Sequence, residues 1–190
     1  MKFSLLLLIS LGIISCGVLR PVKDAAAYHL LDPLVPARTL SSATPAIAIQ
    51  RPALPGYLDR QQWVTRSGGQ LMMSSVELWG EPLDMGISRV TASNLSHLTG
   101  SMNIQPVENF TTLDYTSLLE IRITRFEPDE AKQLILEGTW KLQPVNSTAA
   151  RSHYFSLKIP LTNPSASARM AGMNTALEML ARQISHEFPN

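Results

Sequence analysis

The sequence predicts an α+β (α/β) fold, a mostly antiparallel sheet with helices packed on one side. Three observations carry that prediction. Between Leu113 and Phe126, Leu119, Ile121 and Ile123 alternate with Glu120, Arg122 and Thr124, which is the period of a half-buried strand. Two further alternating runs follow it across short polar breaks, so the three read as an antiparallel meander. Near the end of the chain Met170, Met173, Leu177, Leu180, Ile184 and Phe188 recur at steps of three and four, the stripe of an amphipathic helix.

The remaining elements follow in order. Gly17 to Ala26 carries Pro21, mixed charge and an alanine run, and reads as a tether. Tyr28 to Leu31 is a short strand closed by Asp32-Pro33, and Leu34 to Ser42 is a loop. Ala46-Ile47-Ala48-Ile49 has the apolar, β-branched character of a buried strand, stopped by Pro52 and Pro55. Pro55 to Arg60 forms a turn or one short helical turn. Gln62 to Arg66 and Gln70 to Val76 pair as a hairpin across Ser67-Gly68-Gly69, where the glycines supply the backbone freedom a tight turn needs. Leu78 to Leu83 is expected to open a helix with Pro82 in its first turn and Glu81 near its positive end. Its stripe of Ile87, Val90, Leu95 and Leu98 is rough enough for one helix or two. Met102 to Val107 is a strand. Glu127 to Glu130 is a turn, Ala131 to Leu142 and His153 to Pro160 complete the meander, and Asn163-Pro164-Ser165 starts the last helix. The apolar stripe of that helix packs on the sheet or serves another chain.

The amino terminus is of another kind. Met1-Lys2-Phe3-Ser4 is short and cationic, and the apolar run from Leu5 to Ile14 is followed by Ser15, Cys16 and Gly17. A positive start, a short apolar core and a small residue before the cut make a secretory signal. The run is too short for a bilayer span, which needs about 20 residues. Cys16 is the only cysteine of the 190 residues, so it has no internal disulfide partner. The run Ile13-Ile14-Ser15-Cys16 resembles the bacterial lipobox. That resemblance implies that residues 1–15 are removed, that Cys16 becomes the acylated first residue, and that Gly17 directs sorting to the outer membrane. The layout is then leader 1–15, tether 16–26 and one periplasmic domain over 27–190.

Composition narrows the function. Losing Lys2 with the leader leaves 15 Lys and Arg against 15 Asp and Glu, so no basic stripe exists for nucleic acid. The remaining 175 residues bury about 70% of their unfolded surface and need no metal or disulfide staple. Thirteen prolines favour strands and loops. His29, His97, His153 and His186 have no second ligand at metal spacing. No nucleophile elbow, P-loop or dinucleotide fingerprint is present, so neither an enzyme nor a cofactor is expected. Glu77 and Glu81 stand four apart, a very weak glycosidase signal.

The most distinctive internal pattern is Pro55-Gly56-Tyr57-Leu58-Asp59-Arg60, then Trp63-Val64-Thr65-Arg66, then Trp79-Gly80-Glu81-Pro82-Leu83. With Tyr28-His29-Leu30-Leu31, the lipobox and the terminal helix, it resembles the PqiC-type lipoproteins, also called ABC-transport auxiliary lipoproteins. Gln61-Gln62 stand where much of that family begins the strand with proline. The resemblance implies a small α/β sandwich similar to the first domain of TolB. It implies a lipid-anchored outer-membrane component that accompanies an MCE-domain needle protein and an inner-membrane component in moving lipid between membranes, as a homo-oligomeric ring or docking port. Candidate partner-binding residues are Tyr57, Asp59 and Arg60. For Asp59 and Arg60 the alternative is an ion pair and cap that fix the turn; for Tyr57 it is core packing with a bonded hydroxyl. Trp79 is expected in the core. A second functional reading is a lipid-binding module, with an acyl chain held between the sheet and the last helix beside Met72, Met73, Met170, Met173 and Met179.

Overall fold

The structure is a computed structural model and describes residues 25–109, 115–147 and 149–188. The leader, Cys16 and most of the tether lie outside the described residues. Among the described residues eight strands and two long helices follow one another: β1 (Ala27–His29), β2 (Ile47–Ile49), β3 (Gln62–Ser67), β4 (Gln70–Trp79), α1 (Leu83–Thr99), β5 (Ile104–Pro106), β6 (Ser117–Pro128), β7 (Gln133–Pro144), β8 (Arg151–Pro160) and α2 (Ala166–Ser185). The α+β class is the one the sequence predicts. The strands, however, divide between two mixed sheets, a small one in the order β1-β4-β3 and a larger one in the order β5-β2-β6-β7-β8. The predicted meander is β6-β7-β8, antiparallel throughout, while β2 runs parallel to both β5 and β6, and β1 parallel to β4.

Local chemistry explains the elements. At the hairpin, Gly68 and Gly69 both hold positive φ, +53° and +83°, as a two-residue type I′ turn requires. α1 is one unbroken helix of 17 residues that ends on Gly100 in the left-handed conformation, whose N–H bonds back to the Ser96 carbonyl, the usual glycine stop. α2 starts on Ser165, whose hydroxyl accepts the Ala168 N–H, a side-chain N-cap.

The expected start of α1 is corrected. Leu78 and Trp79 belong to β4 rather than to the helix, Pro82 is the N-cap, and Asp84 rather than Glu81 is the acid of the first turn. The strand continues because Leu78 and Trp79 pair with Tyr28 and His29 of β1, a long-range contact that no local pattern announces. Likewise Glu127 and Pro128 end β6 rather than forming a turn; the turn is Asp129 to Lys132.

One hydrophobic core runs through both sheets and both helices. Leu119, Ile121, Ile123, Leu134, Leu136, Trp140, Phe155 and Leu157 supply the inner face of the large sheet. Against it α2 sets Met173, Leu177, Leu180 and Ile184, with α1 packed beside it. Between β6 and β7 the register slips between Ile123 and Arg125, opposite Gly138 and Glu137. This bulge reverses the alternation of β6. Beyond it Phe126 faces the core with Leu136 and Leu157, and Glu127 turns to the opposite face. Gly138 is required there, since a Cβ would lie 2.1 Å from the Arg122 carbonyl oxygen and 2.8 Å from Phe155 Cζ.

Candidate functional site

The two halves of the Pro55–Arg60 and Trp79–Leu83 pattern meet in space. The N–H of Trp79 donates to the Gln61 carbonyl at 2.7 Å, and Gly80 N–H donates to the His29 carbonyl at 2.9 Å. Asp59, Arg60, Gln61, Trp79, Gly80, Glu81, Pro82 and Leu83 line a cleft of about 310 Å³ between turn and strand end. Trp79 forms its floor, 4% exposed, and belongs to the core as expected. Its ring lies 5.1 Å from that of Trp63, which in turn lies 4.3 Å from the His29 ring. His29 is paired with Glu77, so β1 is pinned to β4 by side chains as well as by its ladder. Glu81 pairs with Arg89 at 2.6 Å, and Arg89 also donates to the Leu31 carbonyl.

The three candidate residues separate. Asp59 is exposed at the rim, its N–H donating to the Pro55 carbonyl. Arg60 is half-buried and turns away from Asp59. Its Nη2 donates to the Gly56 carbonyl at 3.3 Å, its Nη1 lies 2.8 Å from Met73 Sδ, and its Nε is buried with no hydrogen-bond partner among the described residues. The expected Asp59–Arg60 ion pair is therefore replaced by main-chain and thioether contacts that fix the turn. Tyr57 reaches the opposite way, out of the cleft. Its hydroxyl donates to the Glu127 carboxylate at 2.9 Å and lies 3.0 Å from the Thr124 carbonyl.

Glu127 is the residue that sequence reasoning misses. It is 0% exposed and accepts from Arg66 Nε at 2.8 Å, Arg125 Nε at 3.2 Å, the Phe126 N–H at 2.9 Å and Tyr57. A buried carboxylate is tolerable only when paired and hydrogen-bonded, and here it is both. Arg66 also sits over the Tyr57 ring, 5.4 Å from its centroid, a cation–π contact. Burial, then the charge of Glu127, pushes the Tyr57 hydroxyl pKa up to about 12. The hydrogen bond to Glu127 raises the pKa of Arg66. This network joins the Pro55–Arg60 turn and β3 to β6, so Tyr57 is a structural tie between the two sheets. A glutamate directly after Phe126, the last apolar residue of an alternating strand, is the one available signal, and the bulge conceals it.

The groove imagined between sheet and last helix is occupied by the protein itself. Met173, Leu177, Leu180 and Ile184 are buried in it, while Met72 and Met73 on β4 and Met179 on the outer side of α2 are exposed. The other histidines also have ordinary settings: His97 Nδ1 accepts the Arg38 N–H, and His153 stacks on Trp140. Among the described residues no helix is long and apolar enough to cross a membrane.

Comparison with known proteins supports an assignment. A solved structure described only as an uncharacterized protein matches with a TM-score of 0.70 and 18% identity, over 85% of this chain and 97% of the other. Protein XCC0632 from Xanthomonas campestris, of the DUF330 family, matches with a TM-score of 0.63 and 18% identity, over 83% of this chain and 92% of the other. At that identity they establish the fold alone. No curated protein sequence matches the chain. The family model for the ABC-type transport auxiliary lipoprotein component matches residues 28–185, from β1 through the last residue of α2, and the chain therefore belongs to the family of ABC-type transport auxiliary lipoproteins.

Proposed function

We propose that this protein is a non-enzymatic lipoprotein, held at the outer membrane by acylated Cys16, that serves as the periplasmic accessory or docking component of an MCE-type intermembrane lipid transport system. Family membership across residues 28–185 is the observation that carries the reading. The sole cysteine stands at the end of a secretory leader, twelve positions before that match, which supports anchoring by lipid. Two or more acyl chains hold stably, each buried methylene contributing about 0.8 kcal/mol. Gly17 supports onward sorting to the outer membrane. In this reading the partners are an MCE-domain needle protein and an inner-membrane transport component. Copies of the chain assemble as a ring around the needle's end.

The rim of the 310 Å³ cleft is the surface proposed for the partner. Asp59 is exposed there and Arg60 is held by its turn, so both can meet another chain without refolding; Tyr57 contributes by holding the turn in place. Docking is favoured over binding of an acyl chain by this protein, because the interior between sheet and α2 is filled by its own side chains. Affinity capture from detergent-solubilised membranes, with the acylated protein as bait, tests the role. The MCE-domain protein is expected in the eluate, and less of it with the double substitution Asp59→Ala and Arg60→Ala. An eluate without it, from membranes that contain it, overturns the docking role.

A further inference from the structure

The small sheet has two unlike faces. In register, Tyr28 of β1 pairs with Leu78 of β4, and Leu78 pairs in turn with Gln62 of β3. Tyr28 and Leu78 share one side by their register. The β3–β4 pairing shifts between Gln62 and Val64, so Val76 is placed by its neighbour Glu77. The Glu77 side chain pairs with His29 on the other side, which leaves Val76 with Tyr28 and Leu78. Leu30, just beyond β1, continues that side by packing its Cδ2 over Gly80. The other side carries His29, Trp79 and Trp63 into the core. On the outward side Tyr28 is 59% exposed, Leu30 50% and Val76 39%, and no position in that set is charged. Isolated exposed apolar residues need no explanation, but a contiguous set on one sheet face does.

This face belongs to the strand by which the chain enters the fold. Eleven residue steps separate Cys16 from Ala27, and a fully extended chain spans at most about 3.6 Å per residue. The anchor therefore confines β1 to within about 40 Å of the bilayer by that limit, closer than any element that follows it along the chain is confined. Tyrosine, apolar in body and polar at its tip, is a residue of membrane–water boundaries.

We infer that the outward face of the small sheet, formed by Tyr28, Leu30, Val76 and Leu78, rests on the surface of the anchoring bilayer, with Tyr28 at headgroup level. The inference rests on the anchoring through Cys16 proposed above. The apolar face then sets the orientation of the domain and lays the Asp59–Glu81 cleft beside the membrane, since Gly80 belongs to both surfaces. The occupant is a lipid surface rather than a second copy or a protein groove.

The full-length acylated protein can be reconstituted into vesicles of phosphatidylethanolamine and phosphatidylglycerol. With Cys16 consumed by acylation, Val76→Cys supplies a single thiol for an environment-sensitive fluorophore, and Met179→Cys on α2 supplies the control. The face inference predicts a blue-shifted emission at position 76 that is quenched by shallow nitroxide-labelled lipid, and neither effect at position 179. Adding Tyr28→Ser and Leu30→Ser is expected to abolish the quenching while the protein still floats with the vesicles. Flotation with no quenching at position 76 overturns the orientation and leaves the anchor standing. Failure to float overturns the anchor and this inference with it. A blue shift at position 76 that needs no vesicles and grows with protein concentration assigns the face to a second copy, and also overturns it.

Discussion

The two sheets of this protein treat their apolar surface differently. The large sheet buries its inner face: Leu119, Leu134 and Leu136 share one core with Leu177 and Leu180 of α2, all of them inaccessible to solvent. The small sheet closes one face with Trp63 and Trp79 and leaves Tyr28, Leu30 and Val76 on the other open. The contrast separates roles. The β6–β8 meander with α2 carries most of the buried core, whereas β1, β3, β4 and the Pro55–Arg60 turn carry the surfaces proposed above for a membrane and a partner. Joining the two is a charged seam, Glu127 with Arg66, Arg125 and Tyr57.

Breaking the seam is the strongest way to test that division. Glu127→Ala leaves two arginines without their buried acceptor, and removal of one partner of a buried ion pair costs about 3–5 kcal/mol. Both arginine side chains keep about 29% of their surface in solvent, so the lower end, about 3 kcal/mol, is expected. Hydrogen exchange should then quicken in β1, β3 and β4 ahead of β6 to β8. Uniform acceleration across both sheets would show that the halves are not separable.

A smaller effect sharpens the same point. Tyr57→Phe removes one hydrogen bond of the seam, worth about 1 kcal/mol at neutral pH. It also changes the pH dependence. The Tyr57 pKa in the folded protein, about 12, lies above its ordinary value of 10.0. The contribution of the protonated hydroxyl is thus complete below pH 10 and is lost as pH rises through 12. Denaturant unfolding of the two proteins should give a stability difference that is constant below pH 10 and shrinks between pH 10 and 12. A difference independent of pH through that window would remove Tyr57 from the seam.

How much of this was legible in the sequence follows from how local each signal is. The meander, the Gly68-Gly69 hairpin and the α2 stripe are written in short-range periodicity and turn chemistry, and they stand where they are expected. The boundary between β4 and α1 is not local. Leu78 and Trp79 are claimed by β1, some fifty residues earlier, and proline just beyond them suits a helix start as well as a strand end. The split into two sheets is hidden for the same reason, since parallel pairing of three-residue strands leaves little trace in either partner. The Pro55–Arg60 and Trp79–Leu83 pattern did mark a cleft, but of the three candidate residues only Asp59 and Arg60 line it. Tyr57 proved to be aimed at Glu127, whose burial depends on the bulge at Thr124 and on the glycine opposite it. A reading by alternation alone cannot find a residue whose facing is set by a break in the alternation.

The proposed anchoring and the membrane-facing orientation both turn on the covalent state of Cys16. Mass spectrometry of the amino-terminal peptide from protein purified out of cell membranes examines it directly. The expected peptide begins at Cys16, without residues 1–15, and carries acyl chains on its sulfur and its amine. A free thiol at Cys16, or a mature chain beginning beyond it, contradicts the account.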